Sequence, residues 1–446
     1  MNEKMNPKLL IDVQKFDITP QGPVSLLGYF NERISTSILD PLFCRMAALR
    51  CGTRHLLFIQ IDSCLIMAED AEQIKHSIEG HGTYHQQDVM IFTNHSHTAP
   101  ALVDFFQAKK EAKYLEWLKE EISTKAKLLD PSEECTVTLS QASYEGLCYN
   151  RRWYLKDGSV ATNPPKLFPL MVKPEGPVDR QVQTVEFCRK NGTTAALFVN
   201  ISNHTDTVGG NRISADWTGF MESHINQEKR EEFSVFPLIA PQGNINHFDF
   251  HSSRDQTSYE EAQHIGKSYA HIVLQSIKNE NPIKVHSLES RFDILSLLPR
   301  EIEESKRTEA RKLVKSPVDF QKAQDLTAED IIKGNAAVEH LFAEELLAFA
   351  HRRPERYNVP LQVLKIDKIA FCALPGEPFV EIGLELKKTQ GYKAVIPIAL
   401  ANGYFGYIPM KECFSRGGYE IRATLHNCLT KSAADRIVEK FKKMLS

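Results

Sequence analysis

Apolar and polar positions follow three patterns along this chain, and each predicts a different kind of element. Near-continuous apolar runs mark buried strands. They cover Leu9–Val13, His55–Ile66, Val89–Phe92, Ala195–Asn203, Lys368–Leu374 and Tyr392–Ala401, with a further strand from Val235 to a polar tip at His247. Apolar residues at helical spacing predict helices over Ala68–Ile78, Phe105–Leu129, Ser214–Asn226, Thr257–Lys278, Phe379–Lys388 and Ser432–Leu445. Phe16–Pro20 followed by Leu26–Phe30 reads as a strand, a turn and a second extended segment, and Val185–Cys188 forms a hairpin with the next strand through the turn Asn191-Gly192. Between Thr136 and Val185 the pattern breaks into short extended pieces around Tyr149–Tyr154, then prolines 164, 165, 169, 174 and 177. Proline excludes regular helix there and predicts an ordered loop of the kind that lines active sites. Residues Glu301–Arg353 are charged and helical in character, a solvated layer on the sheet with no chemistry of its own.

Strands alternating with helices predict an α/β fold of mixed sheets and helical layers, read as one domain over residues 1–446. Composition sharpens this only by exclusion. Apolar content of 42%, charged content of 25% and a formal charge of -3 suit a globular enzyme and give no sign of a nucleic-acid partner. Nine scattered cysteines without a CxxC predict buried reduced thiols. No signal-like or membrane-spanning apolar run is visible, so the expectation is a cytoplasmic protein without stable membrane insertion. Nothing in the sequence sets an oligomeric state.

The candidate chemistry lies where the strands end. Val89–Phe92 runs into Asn94-His-Ser-His97, and side chains at i and i+2 of an extended segment share a face. Taken alone, His95 and His97 are either polar residues closing a strand or half of a metal or acid/base site. Asp62, His204, Asn244–His247, Glu377, Tyr404 and Tyr407 also fall at or just beyond long apolar runs. In α/β folds, loops at the carboxyl ends of strands meet to form sites. Histidines with a glutamate are a familiar ligand set for catalytic zinc. The chain has no GxSxG, GxxxxGK[ST] or HExxH motif, and Gly403-x-x-Gly406 is too sparse for a dinucleotide fingerprint.

These residues resemble the catalytic domain of the neutral (non-lysosomal) ceramidases. Asp17-Ile-Thr-Pro20 is similar to that family's opening turn, and Asn94-His-Ser-His-Thr-Ala-Pro100 to its His-Thr-His-Ser-Gly-Pro motif. Pro375-Gly-Glu377 resembles its Pro-Gly-Glu. Asn402-Gly-Tyr-Phe-Gly-Tyr-Ile408, with Gly418-Tyr-Glu420, resembles its Asn-x-Tyr-x-x-Tyr-Ile block and later Tyr-Glu. Asn150-Arg151, Asn163-Pro164 and the strand ending at His204 match more weakly. The resemblance implies a zinc ion (Zn2+) held by His95, His204, Glu377 and Tyr407. It also implies His97 facing the reacting carbonyl and Arg151 aiding substrate or oxyanion binding. Asp62, Tyr404 and Asn244 are expected at the substrate.

Three departures bear on function. The family's Gly-Asp-x-Ser aligns with Gly243-Asn-Ile-Asn246, and Asn246 at that catalytic position is no nucleophile, so hydrolysis is expected to use zinc-activated water. The family's C-terminal immunoglobulin-like domain and its signal peptide are not seen. The reading that follows is a zinc-dependent hydrolase of a C–N amide bond in a small soluble substrate. The alternatives are a ceramidase acting on N-acyl sphingoid lipids, or a non-catalytic metal- or ligand-binding homologue.

Overall fold

A computed structural model describes residues 7–278, 280–320 and 328–446. Two sheets pack face to face between helical layers. The larger has eight strands: β1 Leu9–Asp17, β2 Phe43–Cys51, β3 Arg54–Ile61, β4 Val89–Thr93, β5 Glu133–Ser143, β6 Gln181–Arg189, β7 Thr194–Ile201 and β8 Ser234–Ile239, in the order β8-β7-β6-β5-β1-β2-β3-β4. The smaller has β9 Leu288–Leu297, β10 Tyr357–Ile366, β11 Ile369–Ala373 and β12 Ala394–Ile398, in that order. Pairing is antiparallel except for β3–β4, β7–β8 and β11–β12. Those parallel pairs are buried on both faces, which is why β4, β7 and β12 read as unbroken apolar runs.

Between the sheets, Phe58, Phe198 and Phe371 meet edge to face, with centroids 5.1 to 6.0 Å apart. On the outer side of the large sheet lie α1 Ala68–Glu79, α2 Ala112–Ala126, α3 Trp217–Lys229 and α4 Tyr259–Ser276. On the outer side of the small sheet lie α7 Ala336–Arg352, α8 Val380–Lys387 and α9 Ala433–Leu445. Helices α5 Glu304–Lys315 and α6 Ala328–Ile332 precede α7.

Buried amides join the strand ends of the two sheets. Asn402, at φ 60°, accepts a hydrogen bond from Ile91 N at 3.1 Å and donates to Gln362 Oε1 at 2.6 Å, while its own N–H donates to Ile91 O at 2.7 Å. Asn200 Nδ2 donates to both Leu238 O and Pro397 O at 2.9 Å. With Ala399 N donating to Ile239 O at 2.7 Å, β12 and the loop after it are held against β4 and β8.

The structure differs from the sequence pattern in several places. Helix α2 begins at Ala112 rather than Phe105, because Phe105–Ala108 closes a turn with Phe106 at φ 50°. Strand β5 runs eleven residues where short pieces were expected, its Thr, Ser and Gln masking the alternation. Strands β2, β9 and β10 carry charged or polar residues that hide them. The charged stretch 301–353 is not only a solvated layer: Val338, Leu341 and Phe342 pack on Phe30 and Phe106. Its residues 321–327 lie outside those described.

Candidate active site

Four strand ends deliver the convergent side chains. His95 follows β4 in a left-handed backbone conformation (φ 64°), an uncommon state for a residue with a Cβ and one that clusters at functional sites. His204 follows β7, and its loop is pinned by Asp216, the N-cap of α3. That carboxylate accepts from the backbone N–H of Thr207, Val208 and Trp217 at 2.6 to 2.8 Å. The Trp217 indole also donates to His204 O at 2.8 Å. Glu377 follows β11 and pairs in parallel with Tyr407, beyond β12. Gly376 (φ 116°) permits this approach, since a Cβ there would lie 2.5 Å from Gly406 O.

The reactive atoms nearly touch. His95 Nε2 is 3.2 Å from His204 Nε2 and 3.3 Å from Glu377 Oε2, and His204 Nε2 is 3.6 Å from Glu377 Oε2. A triangle with those edges has a centre about 2.0 Å from each corner, the length of a zinc bond to nitrogen or oxygen. The donor chemistry agrees with a cation at that centre. His95 Nδ1 lies 2.8 Å from Cys64 O, so the ring that donates there leaves its Nε2 lone pair free. Glu377 Oε1 accepts the Tyr404 hydroxyl at 2.8 Å, while the buried Oε2 has no hydrogen-bond partner. Such an orphan is costly unless something positive meets it.

The chain's own charges form, at that centre, the His95–Glu377 ion pair that a bound cation would replace. Burial opposes charge on His95, but Cys64 and Glu377 outweigh it and raise the imidazole well above its usual value. Burial also works to raise the Glu377 carboxyl, and His95 and Arg151 override it and hold the group ionised. Burial and the neighbouring Arg151 push His204 well down, keeping it neutral. Burial drives the Tyr407 phenol well up, with Arg151 pulling against it. Arg151 itself is anchored by Glu420 at 2.9 Å and Gly243 O at 2.8 Å, with Nη1 3.3 Å from His204 Nε2.

A cavity of about 720 Å³ opens onto this cluster. His97, Arg151, His204 and Tyr407 reach its wall, and Phe30, Phe106, Phe248 and Phe250 supply much of its apolar surface. His97 sits apart from its neighbour: Nε2 is 3.2 Å from His95 Nε2, and Nδ1 lies at ion-pair distance, 3.1 Å, from Asp206 Oδ1 without hydrogen-bond alignment. The Asp206 carboxyl is driven upward by burial, yet His97 and the Tyr29 hydroxyl outweigh this and hold it at about 2. Gly28 (φ 114°) packs flat on the His97 ring, where a Cβ would come within 2.5 Å. Asp206, Tyr29 and Gly28 were not among the expected site residues. Only Asp206 carried a signal, two residues beyond His204.

Four of the expected residues sit elsewhere. Asp62 does not face the cavity; its carboxylate accepts from Arg45 Nη1 at 2.9 and 3.0 Å and from Gln60 Nε2 at 3.0 Å, in a buried network that also holds Glu222. A carboxylate at a strand's end was met by an arginine on the neighbouring strand instead of by a ligand. Asn244 caps α8, accepting from Val380 N at 2.8 Å and donating to Glu381 at 3.0 Å. Asn246 donates to Asn163 Oδ1 at 2.6 Å, and it is Asn163 that lines the cavity. Tyr404 stands behind Glu377 rather than at the cavity wall.

No protein-family model matches the chain, and no curated relative matches it. Solved structures share its fold. A neutral ceramidase from Pseudomonas aeruginosa superposes with a TM-score of 0.73 at 16% identity, covering 98% of this chain and 74% of its own. A structure of a ceramidase complexed with C2 gives 0.72 at 16% identity, covering 98% of this chain and 75% of its own. The chain has a neutral ceramidase-like α/β fold. Among the described residues no helix is long and apolar enough to cross a membrane.

Proposed function

We propose that this protein is a metal-dependent hydrolase of a C–N amide bond in a small molecule, built as one domain. The observation that carries the reading is the His95, His204 and Glu377 triangle, in which one carboxylate oxygen faces both imidazoles and accepts no aligned hydrogen bond. A divalent cation such as zinc, when bound there, supplies an acidified water and polarises a carbonyl. Tyr407 would complete the ligand set from the paired strand. Tyr404 would orient Glu377, as carboxylate partners behind metal ligands do.

The remaining roles belong to the cavity wall. His97, held below its usual value by burial, would take a proton at Nε2 from the attacking water and deliver it to the departing amine, its ring set by Gly28 and Asp206. Arg151, immobilised by Glu420, would stabilise negative charge on the carbonyl oxygen, an effect typically of about 3 kcal/mol for one donor. Asn246 offers no nucleophile and is committed to Asn163, so the attacking group is water.

Hydrolysis of a panel of N-acyl amides, followed as amine release, tests this. Activity should vanish with a chelator and return with zinc. Turnover that survives complete metal removal would defeat the proposal. A second reading, cleavage of N-acyl sphingoid lipids, is favoured by the ceramidase-like fold and the phenylalanine-walled cavity. It requires fatty-acid release from a short-chain fluorescent ceramide by the same zinc-loaded protein.

A further inference from the structure

Beyond its catalytic wall the cavity carries a balance of charge that the chemistry above leaves unused. Four charged side chains line it: Arg33, Arg151, Lys166 and Asp206. Arg151 is neutralised by Glu420, while Asp206 accepts the Tyr29 hydroxyl, lies 3.1 Å from His97 Nδ1 and attracts Arg33 without a hydrogen bond to it. Arg33 and Lys166 give their hydrogen bonds to neutral carbonyls. Arg33 donates to Gly210 O and His97 O at 2.6 Å and to Leu27 O at 2.7 Å, and Lys166 donates to Arg254 O at 2.8 Å. Three of the five guanidinium N–H groups of Arg33 are thus committed, and its buried Nε has no partner. Its plane also lies 3.9 Å over the Tyr29 ring. Carbonyls from three separate segments hold this cation rigid, so little ordering cost remains when an anion arrives. The bond to His97 O places it one residue's backbone from the group that faces the scissile amide.

We infer that Arg33 forms an anion subsite, and that the substrate is an N-acylated amino acid whose free carboxylate meets Arg33 while its acyl group packs against the phenylalanine wall. This rests on the amidohydrolase reading and narrows it. A carboxylate one carbon from the amide nitrogen lies close enough to the scissile bond to engage a cation seated beside His97. Guanidinium is the side chain best matched to a carboxylate.

The test compares N-benzoylglycine with its methyl ester, by titration calorimetry for binding and by amine release for turnover. Arg33→Met, Arg33→Lys and Lys166→Met are run beside the wild type. The free acid should bind at least tenfold more tightly than the ester. That preference should collapse in Arg33→Met and be partly restored in Arg33→Lys. Equal affinity for acid and ester in the wild type overturns the subsite, even if both are cleaved. A preference lost only in Lys166→Met also overturns it, by moving the subsite to the other cation. If the acid is preferred but neither compound nor any other amide is cleaved, the subsite stands and the hydrolase reading fails. The wild-type ratio carries the test should Arg33→Met not fold.

Discussion

Single atoms decide the chemistry proposed for this cavity. Glu377 divides its two oxygens, one held by Tyr404 and one left for a cation. Tyr404→Phe removes the hold without changing shape, and metal affinity should fall about 10–100-fold, as it does when ligand-orienting partners are lost. A competition titration with a chromogenic chelator reads this directly; unchanged affinity would mean that the hydroxyl does not orient the carboxylate. Asp62 invites the opposite expectation. Its ring of Arg45, Gln60 and Glu222 is buried, so Asp62→Ala should cost about 3–5 kcal/mol by leaving Arg45 short of a counter-charge. Chemical denaturation measures that loss, and a stable variant with altered substrate KM would restore Asp62 to the substrate.

At the level of elements, α1 carries a cost that its sequence conceals. Lys75 lies on its buried face, with its ammonium 5.9 Å from the Phe292 ring, and burial lowers its pKa to about 7. In the unfolded chain the same group titrates near ~10.4. Between those values the unfolded state binds more protons, so this residue makes stability rise with pH through the window. Lys75→Met should remove that part of the slope and raise stability at pH 7 by roughly 1 kcal/mol or more. Denaturation midpoints of both proteins at pH 7 and pH 9.5 check it. A variant that keeps the wild-type slope would show that Lys75 reaches solvent.

Elements also show what the sequence could reveal. Strands β4, β7, β11 and β12 were legible because parallel pairing buries both faces, and their carboxyl ends marked the cluster. Strands β9 and β10 were not, since Arg291, Asp293, Asn358 and Pro360 interrupt their apolar positions. Helix α3 was anticipated three residues early, because the Asp216 cap sits at a positive φ that sequence does not announce. His95, His204, Glu377 and Tyr407 could be nominated from motif resemblance. Asp62 and Asn244 fit the same strand-end pattern, yet their side chains turn to Arg45 and to the start of α8, a choice made by tertiary packing.

Across the whole molecule, the site exists because two sheets are held in register at their ends. Asn402 and Asn200 bind the end of β12 and the loop after it to the large sheet, which brings Glu377 and Tyr407 from one sheet to His95 and His204 from the other. A cation at the centre of that junction would bond groups from both sheets and so stabilise the native state, by an amount that grows with the logarithm of its affinity. The most direct test is the divalent-metal content of the protein purified without added metal, measured by plasma mass spectrometry beside His95→Ala. Close to one ion per chain is expected in the wild type, with loss of that ion in the variant. A wild-type protein without stoichiometric metal, or a variant that keeps it, would rule out a metal site at His95.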